Sequence, residues 1–215
     1  MRDCYIVGAG DFDGSGFSPQ AEDLVIAADG GYLHLRQLGV SPDLVVGDFD
    51  SMPEPEHPHI VRYDTVKDDT DLHLAADLGL KQGCRRFFLF GGTGGRRMDH
   101  TLASIQTLGH LRDRGTAGYL IGSGMVGTWL REERLLFPAG YRGYLSVFSM
   151  GQSVRAVTLQ VLKYPLDRYC LTNTRPLGVS NAFLGETAVV EIRGGEALVL
   201  WEQQEQPLPM REQLR

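Results

Sequence analysis

The sequence predicts an α/β protein, with an N-terminal, mostly parallel sheet carrying helices on both faces and a C-terminal antiparallel β-sandwich domain. In the first part, short continuously apolar runs alternate with helix-like segments, and nearly every apolar run ends in Gly or Asp. Such runs are typical of strands in a sheet that is covered on both faces. Helical periodicity stops near residue 123, and short β-type runs follow. We therefore expect two domains, 1–123 and 124–215.

Apolar runs predict the parallel strands, and segments with helical spacing of apolar residues lie between them. The predicted strands are 4–7, 24–28, 44–46, 87–90 and 119–121. The predicted helices are 32–38, 70–81 and 98–114. Ligands of open α/β sheets bind outside the carboxyl ends of the strands, so the Gly and Asp residues that end these strands should converge on one site.

The C-terminal part has strand candidates at 145–148, 154–161 and 188–192. Gly194-Gly195 predicts a hairpin with a two-residue turn. The polar tail 203–215 contains two prolines, and we expect it to be a loose terminus.

Composition narrows the function classes. A net charge of -6 argues against broad nucleic-acid binding, which requires a basic surface. The three cysteines are far apart and odd in number, so we expect neither a zinc site nor a disulfide framework, and Cys4 and Cys84 should be buried core thiols. No apolar run approaches the length of a membrane span or a signal core, so we expect a soluble, cytoplasmic protein without a membrane partner.

Two acidic segments could bind a metal ion. Asp48 and Asp50 follow a predicted strand, and carboxylates two residues apart in an extended segment point the same way. They repel each other unless a cation neutralises them, and Mg²⁺ prefers such oxygen ligands. The segment 67–71 (Lys-Asp-Asp-Thr-Asp) precedes a helix and offers further carboxylates. Alternatively, the first segment is a polar turn, and in the second Thr70 or Asp69 caps the helix.

The segment 91–100 suggests phosphate binding. Its glycines allow backbone N–H groups to approach phosphate oxygens, the next helix adds its N-terminal dipole, and Arg96 and Arg97 can bind phosphate in a fork. It is not a Walker A loop, because no Lys-Ser/Thr follows the glycines. A flexible turn with a helix capped by Asp99 is the alternative, and His100 could be purely structural.

Other polar residues carry weaker signals. Asp29-Gly30-Gly31 could bind a ribose or a metal-bound water, or it could cap a helix. Gly8-Ala9-Gly10 begins like a dinucleotide fingerprint, but the third glycine comes one residue late, so we discount a nicotinamide cofactor. His34 and His73 fall on predicted helices without a partner at ligand spacing.

Several motifs, taken in order, resemble the bacterial thiamine pyrophosphokinase (thiamine diphosphokinase) family. They are Asp29-Gly30-Gly31, the segment 41–51 (SPDLVVGDFDS), the segment 67–71 (KDDTD), the segment 94–100 (GGRRMDH), Lys163-Tyr164-Pro165-Leu166 and Gly178-Val179-Ser180-Asn181. The resemblance covers about residues 24–200, and the motifs are specific only together. His73, Ser104 and Ala182 stand where many relatives carry Glu, Asn and an acidic residue, which affects peripheral contacts.

The resemblance implies an α/β catalytic domain that binds ATP and Mg²⁺ and a β-sandwich that binds thiamine. It implies transfer of pyrophosphate from ATP to the hydroxyethyl group of thiamine, giving thiamine diphosphate and AMP. It also implies a homodimer whose active site lies between the subunits, so that the Ser180-Asn181 turn of one chain meets the acidic cluster of the other.

The resemblance also implies roles for individual residues. The metal ligands would be Asp48, Asp50 and Asp71, and these residues with Asp68 form the catalytic set. Thiamine would contact Ser180 and Asn181. The nucleotide contacts would be Asp29, Gly30, Gly31, Thr70, Gly91, Gly92, Thr93, Gly94, Gly95, Arg96, Arg97, Asp99 and His100.

The residues also allow two other functions. The same carboxylates could support metal-dependent hydrolysis of a phosphate ester or nucleotide, with water as the nucleophile. A nucleotide- or thiamine-sensing module without turnover is the other possibility, although a binding module has little need for so many clustered carboxylates.

Overall fold

The structure is a computed structural model that describes residues 2–50, 52–64, 66, 68–94 and 97–214. The chain forms two compact units, Met1–Gly124 and Met125–Arg215.

The first unit contains a parallel sheet with strand order β6-β5-β1-β2-β3-β4. The strands are β1 (Asp3–Val7), β2 (Leu24–Ala28), β3 (Leu44–Gly47), β4 (Ile60–Arg62), β5 (Arg86–Phe90) and β6 (Ala117–Gly122). All neighbouring pairs are parallel, as the uninterrupted apolar runs predict. Strand β4 was not predicted, because its three residues are too few to show a pattern.

The helices of this unit are α1 (Gly31–Gln37), α2 (Asp71–Lys81) and α3 (Met98–Asp113). Helix α2 packs so closely on the sheet that a Cβ on Gly79 would lie 2.6 Å from the Phe87 ring. Gly118 of β6 similarly makes room for Leu108 and Leu111 of α3. No helix in the described ranges has both the length and the apolar composition needed to cross a membrane.

Aromatic rings cover the opposite face of the sheet. Tyr5 stacks on Phe88 with 4.7 Å between ring centroids and meets Phe17 edge-on at 5.6 Å. Phe12 connects this cluster to His34 of α1, at 5.7 Å between rings. Each such pair contributes about 1 kcal/mol beyond its buried area. Helices therefore lie on both faces, as expected, and the predicted burial of Cys4 and Cys84 is also confirmed.

The strand order creates a switch point beside β1. The chain builds β1, β2, β3 and β4 in one direction and then returns to place β5 and β6 on the other side of β1. Connections leave the sheet in opposite directions at this point, which opens a crevice at the carboxyl ends of the strands.

The second unit consists of antiparallel strands centred on β12, which confirms the predicted antiparallel arrangement. Its strands are β7 (Met125–Phe137), β8 (Tyr144–Ser149), β9 (Ser153–Gln160), β10 (Leu166–Thr172), β11 (Asn181–Ala182), β12 (Ala188–Glu202) and β13 (Met210–Gln213). Strand β12 pairs with β7, β8 and β9, and β10 pairs with β9.

The hairpin predicted at Gly194-Gly195 is wrong. Both glycines lie within β12, and both halves of that strand pair with β7. The register shifts between Ile192 and Glu196, so the glycines form a bulge rather than a reversal. Gly194 has φ +66°, and a Cβ on Gly195 would lie 2.6 Å from the carbonyl oxygen of Ser153. The glycine pair bends one strand and allows a neighbour to approach closely.

The expectation of a loose C-terminal tail is also wrong. Residues 210–213 form β13, which pairs antiparallel with β7. Arg211 donates to both carboxylate oxygens of Glu133, at 2.9 and 2.7 Å, and to the Thr128 hydroxyl at 3.0 Å. The side chains of Arg211 and Glu133 are only 12% and 7% exposed. A buried bidentate ion pair therefore fixes the tail, and no apolar pattern in the tail could reveal it.

We expect Arg211→Ala to lower the free energy of unfolding by about 3 kcal/mol, because it removes the guanidinium that forms the bidentate ion pair with the buried Glu133 carboxylate. Arg134→Ala is the matched control on the same strand pair, since Arg134 and Glu212 form an ion pair with 40% and 34% exposed side chains. It should cost less than about 1 kcal/mol. Urea unfolding of both variants measures the difference, and equal costs would contradict the role of the buried pair.

Candidate active site

A cleft of about 780 Å³ lies in the first unit, at the carboxyl edge of the parallel sheet. Segments that follow β1, β2, β3 and β5 line it together with the first turns of α2 and α3. The predicted convergence is therefore confirmed for these four strands, whereas Gly122 at the end of β6 does not line the cleft. Its lining residues are Gly8, Ala9, Gly10, Ala28, Asp29, Asp48, Asp50, Asp68, Asp69, Thr70, Asp71, Leu72, Gly91, Gly92, Thr93, Gly94, Arg97, His100, Thr101 and Ser104.

Glycines allow the segments after β1 and β5 to touch at the floor of the cleft. The Gly10 N–H donates to the Gly91 carbonyl at 2.8 Å, and the Gly8 N–H donates to the Phe90 carbonyl at 2.8 Å. Gly91 has φ +60°, and a Cβ there would lie 2.2 Å from the Gly8 oxygen. The sequence interpretation assigned Gly8 and Gly10 no role, because it tested them only against a dinucleotide fingerprint.

The turn after β3 presents Asp48 and Asp50. The Asp50 N–H donates to Asp48 Oδ1 at 3.2 Å, and Phe49 between them has φ +57°. A Cβ on Gly47 would lie 3.3 Å from the Cα of Asp29, so this turn packs directly against the end of β2. A tight, partly left-handed turn thus brings the two carboxylates into the cleft beside Asp29.

The start of α2 adds three more carboxylates, from Asp68, Asp69 and Asp71. Thr70 is the N-cap of the helix, since its hydroxyl oxygen accepts the N–H of His73 at 3.3 Å. The capping alternative for Thr70 is therefore correct, although the residue also lines the cleft. Lys67 and Ser51, which belong to the two acidic motifs, lie outside the described residues.

Six aspartates line the cleft, and Arg97 is the only arginine or lysine among the described lining residues. We expected Asp48, Asp50 and Asp71 to share one ion. Within the described part of the chain, however, these three carboxylates do not form a group whose ligand atoms all lie within 4.8 Å of one another. The fold therefore gathers the three carboxylates in one cleft without holding them as a single set of ligand atoms.

The glycine-rich turn leads from β5 into α3. Gly91, Gly92, Thr93 and Gly94 all line the cleft, whereas Gly95 and Arg96 lie outside the described residues. Arg97, at the start of α3, pairs with Asp99 through Nε and Nη2, at 2.9 and 2.6 Å. The hydrogen bonds from Arg97 hold the pKa of the exposed Asp99 carboxyl at about 2. Arg97 must exchange this partner to bind phosphate.

Of the predicted nucleotide contacts that the structure describes, three do not line the cleft, namely Gly30, Gly31 and Asp99. Gly31 is required by packing, because a Cβ there would lie 1.8 Å from the Val7 carbonyl oxygen. Ser104 is a lining residue that received no site role from the sequence. Its hydroxyl donates to the His100 carbonyl at 2.9 Å, and a Cβ on Gly92 would lie 2.8 Å from its oxygen. Ser104 therefore supports the glycine turn from α3.

In the second unit, the two predicted thiamine contacts, Ser180 and Asn181, differ in their exposure to solvent. Ser180 is exposed, has φ +58° and donates its N–H to the Ser146 hydroxyl at 3.1 Å. Asn181 is 3% exposed, and its amide accepts the Tyr164 N–H at 2.9 Å and donates to the Tyr164 carbonyl at 2.7 Å. Asn181 thus holds the Tyr164 segment in place, and Ser180 is the accessible member of the pair.

The expectation that His73 lacks a partner at ligand spacing is wrong. His73 and Asp77 of α2 lie beside His110 of α3, with one ligand atom of each within 4.8 Å of the others. Burial, and then the neighbouring His110, lower the pKa of His73. Only the packing of the two helices brings together residues more than thirty positions apart, and the sequence gives no signal of it.

Comparisons with known proteins found family matches in both units. The thiamin pyrophosphokinase catalytic-domain family matches residues 19–120, and the thiamin pyrophosphokinase vitamin B1 binding-domain family matches residues 133–199. The thiamine pyrophosphokinase of Bacillus subtilis is 31% identical over 176 residues, covering 75% of this chain and 78% of that protein.

Solved structures show the same fold. The crystal structure of thiamine pyrophosphokinase from Bacillus subtilis superposes with a TM-score of 0.84 at 26% identity, covering 94% of this chain and all of that one. Thiamin pyrophosphokinase from Candida albicans gives 0.76 at 16% identity, covering 94% and 89% of the two chains, which shows likeness of fold alone. By its matches over both units and its curated relative, the chain belongs to the thiamine pyrophosphokinase family.

Proposed function

We propose that this protein transfers pyrophosphate from ATP to the hydroxyethyl group of thiamine, giving thiamine diphosphate and AMP. The observation that carries the proposal is the cleft of the first unit, where six aspartates face a glycine turn and two helix N-termini in a chain of this family. Its cytoplasmic location stays a prediction from the sequence.

The donor set of the cleft fits Mg²⁺, because every charged ligand candidate is a carboxylate and no sulfur group lines it among the described residues. Asp48, Asp50 and Asp71 would hold the ion, with Asp68 nearby. Mg²⁺ often keeps several waters and takes only one or two carboxylates directly, so three preassembled ligands are not required. When bound, the ion supplies positive charge that neutralises phosphate oxygens of ATP.

The glycine turn and the start of α3 suit the triphosphate. Residues 91–94 bring backbone to the cleft surface without side chains beyond Thr93, and the N-terminus of α3 adds a favourable dipole. Arg97 would leave Asp99 and bind phosphate, which stabilises charge on the transferred or leaving group. Asp29, at the end of β2, would contact the nucleotide on the other side of β1.

The reaction forms a bond between the hydroxyethyl oxygen of thiamine and the β-phosphorus of ATP, and it breaks the bond from that phosphorus to the bridging oxygen, which leaves with AMP. The hydroxyl proton passes to a nearby carboxylate, Asp71 or Asp68. Catalysis of this kind depends mainly on positioning and on neutralising charge. The protein therefore needs an arranged, cation-filled cleft more than a strong base.

Thiamine would bind at the Ser180-Asn181 turn of the second unit, and the enzyme would be a homodimer in which that turn serves the partner's cleft. Large apolar side chains that flank the turn in sequence or strand register support this role, since they are exposed to solvent in the single chain. They are Tyr144 at 58%, Tyr164 at 57%, Val179 at 40% and Leu184 at 53% exposure.

We expect AMP to form from ATP and Mg²⁺ only when thiamine is present. Asp50→Asn should lower this turnover by about 100-fold or more, corresponding to roughly 3 kcal/mol of barrier, because it removes one charge from the ligand set without changing the shape of the turn. Steady-state AMP release at saturating Mg²⁺ provides the measurement.

Asp64→Asn is the control for this experiment, since Asp64 is exposed and does not line the cleft. It should keep the wild-type rate. AMP release that is independent of thiamine would instead indicate hydrolysis, and wild-type turnover by Asp50→Asn would contradict the metal role of that carboxylate.

A site shared between subunits predicts complementation. Asp50→Asn removes the cleft function and Ser180→Phe blocks the turn, so each homodimer should be inactive. When the two chains are co-expressed in equal amounts, half of the dimers are mixed, and each mixed dimer has one intact site of two. Activity should therefore recover to about a quarter of the wild-type value. A mixture that stays inactive would contradict the shared site.

A further inference from the structure

Two histidines and a carboxylate meet between α2 and α3, outside the acidic cleft. His73 and Asp77 are four residues apart on α2 and therefore lie on one face of that helix. His110 of α3 faces them, with its Nε2 2.7 Å from Asp77 Oδ1 and its ring centroid 4.4 Å from that of His73. The ligand atoms of the three residues all lie within 4.8 Å of one another.

Thr107 fixes the orientation of His73. The Thr107 hydroxyl donates its proton to the Ala103 carbonyl at 3.0 Å, so toward His73 Nδ1, 3.1 Å away, the hydroxyl oxygen can only accept. Nδ1 therefore carries the ring proton, and Nε2 keeps its lone pair. A backing hydrogen bond of this kind is typical of histidines that bind metals, because it fixes both the tautomer and the ring plane.

The spacing of the donors is close to that which a small transition-metal ion requires. Bonds of about 2.0–2.2 Å to nitrogen and oxygen place tetrahedral ligands roughly 3.3 Å apart. The separation between His110 and Asp77 is 2.7 Å, and that between His73 Nε2 and Asp69 Oδ1 is 3.9 Å, so modest movements reach the required distances. Asp69 or a water can approach the fourth position. The side chains of His73, His110 and Asp77 are 22%, 21% and 38% exposed, so a cation can reach them from solvent.

We propose that His73, Asp77 and His110 form a binding site for Zn²⁺ or a chemically similar transition-metal ion, which joins α2 to α3. Two imidazole nitrogens favour such ions over Mg²⁺, whose preferred ligands are oxygens. The bound ion would take the place of the direct contact between His110 Nε2 and Asp77 Oδ1. Since the first turns of both helices line the acidic cleft, the ion would also fix the separation of its two walls.

The test uses the full-length, metal-stripped protein and titrates Zn²⁺ by calorimetry in the presence of a large excess of Mg²⁺. We expect about one equivalent of Zn²⁺ to bind and to raise the melting temperature, because the ion binds the folded state. Co²⁺ should replace it and give a visible absorption spectrum of low-coordinate, nitrogen-ligated cobalt.

His110→Gln and Asp77→Asn should each weaken Zn²⁺ binding by at least about tenfold and abolish the cobalt spectrum. His59→Gln is the matched control, since it removes an exposed histidine from a loop outside the cluster, and it should bind Zn²⁺ like the wild type. Far-UV circular dichroism shows which variants fold. Because each of the two variants tests the site by itself, one folded variant is sufficient. Mg²⁺ that competes away the Zn²⁺, or unchanged Zn²⁺ affinity in a folded variant, would overturn the proposal.

Discussion

Repulsion among the aspartates of the cleft is the constraint on which the rest of the account depends. Six carboxylates line one cleft, with a single arginine among the described lining residues, and that arginine is already paired with Asp99. In the proposed function, a cation offsets this repulsion and an anionic ligand binds beside it. The parallel sheet creates this situation, because it directs the ends of β1, β2, β3 and β5 to one edge.

Much of the first unit could be predicted, because its strands are buried on both faces and appear as uninterrupted apolar runs. Prediction failed where pairing rather than composition decides the structure. Strand β4 is too short to show a pattern, and Gly194-Gly195 fits a hairpin turn as well as a bulge until the register of β7 is known. The C-terminal strand is held by Arg211 and Glu133, which lie far apart in the chain.

The candidate site also contains residues that could be predicted from the sequence and residues that could not. Asp48, Asp50, Asp71 and the segment 91–94 could be located from the sequence because they follow strands or begin helices, and those positions meet at one edge. Contacts that depend on the packing of distant segments could not be predicted from the sequence. Examples are the close approach of Gly8 to Gly91, the support that Ser104 gives to the glycine turn, and the meeting of His73 with His110. No motif reports the distances between the carboxylates of Asp48, Asp50 and Asp71, which do not form a set within 4.8 Å in the described part of the chain.

The most direct test of the proposed metal site is the position of a metal ion in a nucleotide complex. Mn²⁺ accepts the same oxygen ligands as Mg²⁺ and gives an anomalous diffraction signal. In crystals grown with Mn²⁺ and a non-hydrolysable ATP analogue, we expect a peak bound by carboxylates of the segments 48–50 and 68–71 and by phosphate oxygens of the analogue. An analogue bound with no Mn²⁺ on these aspartates would contradict it.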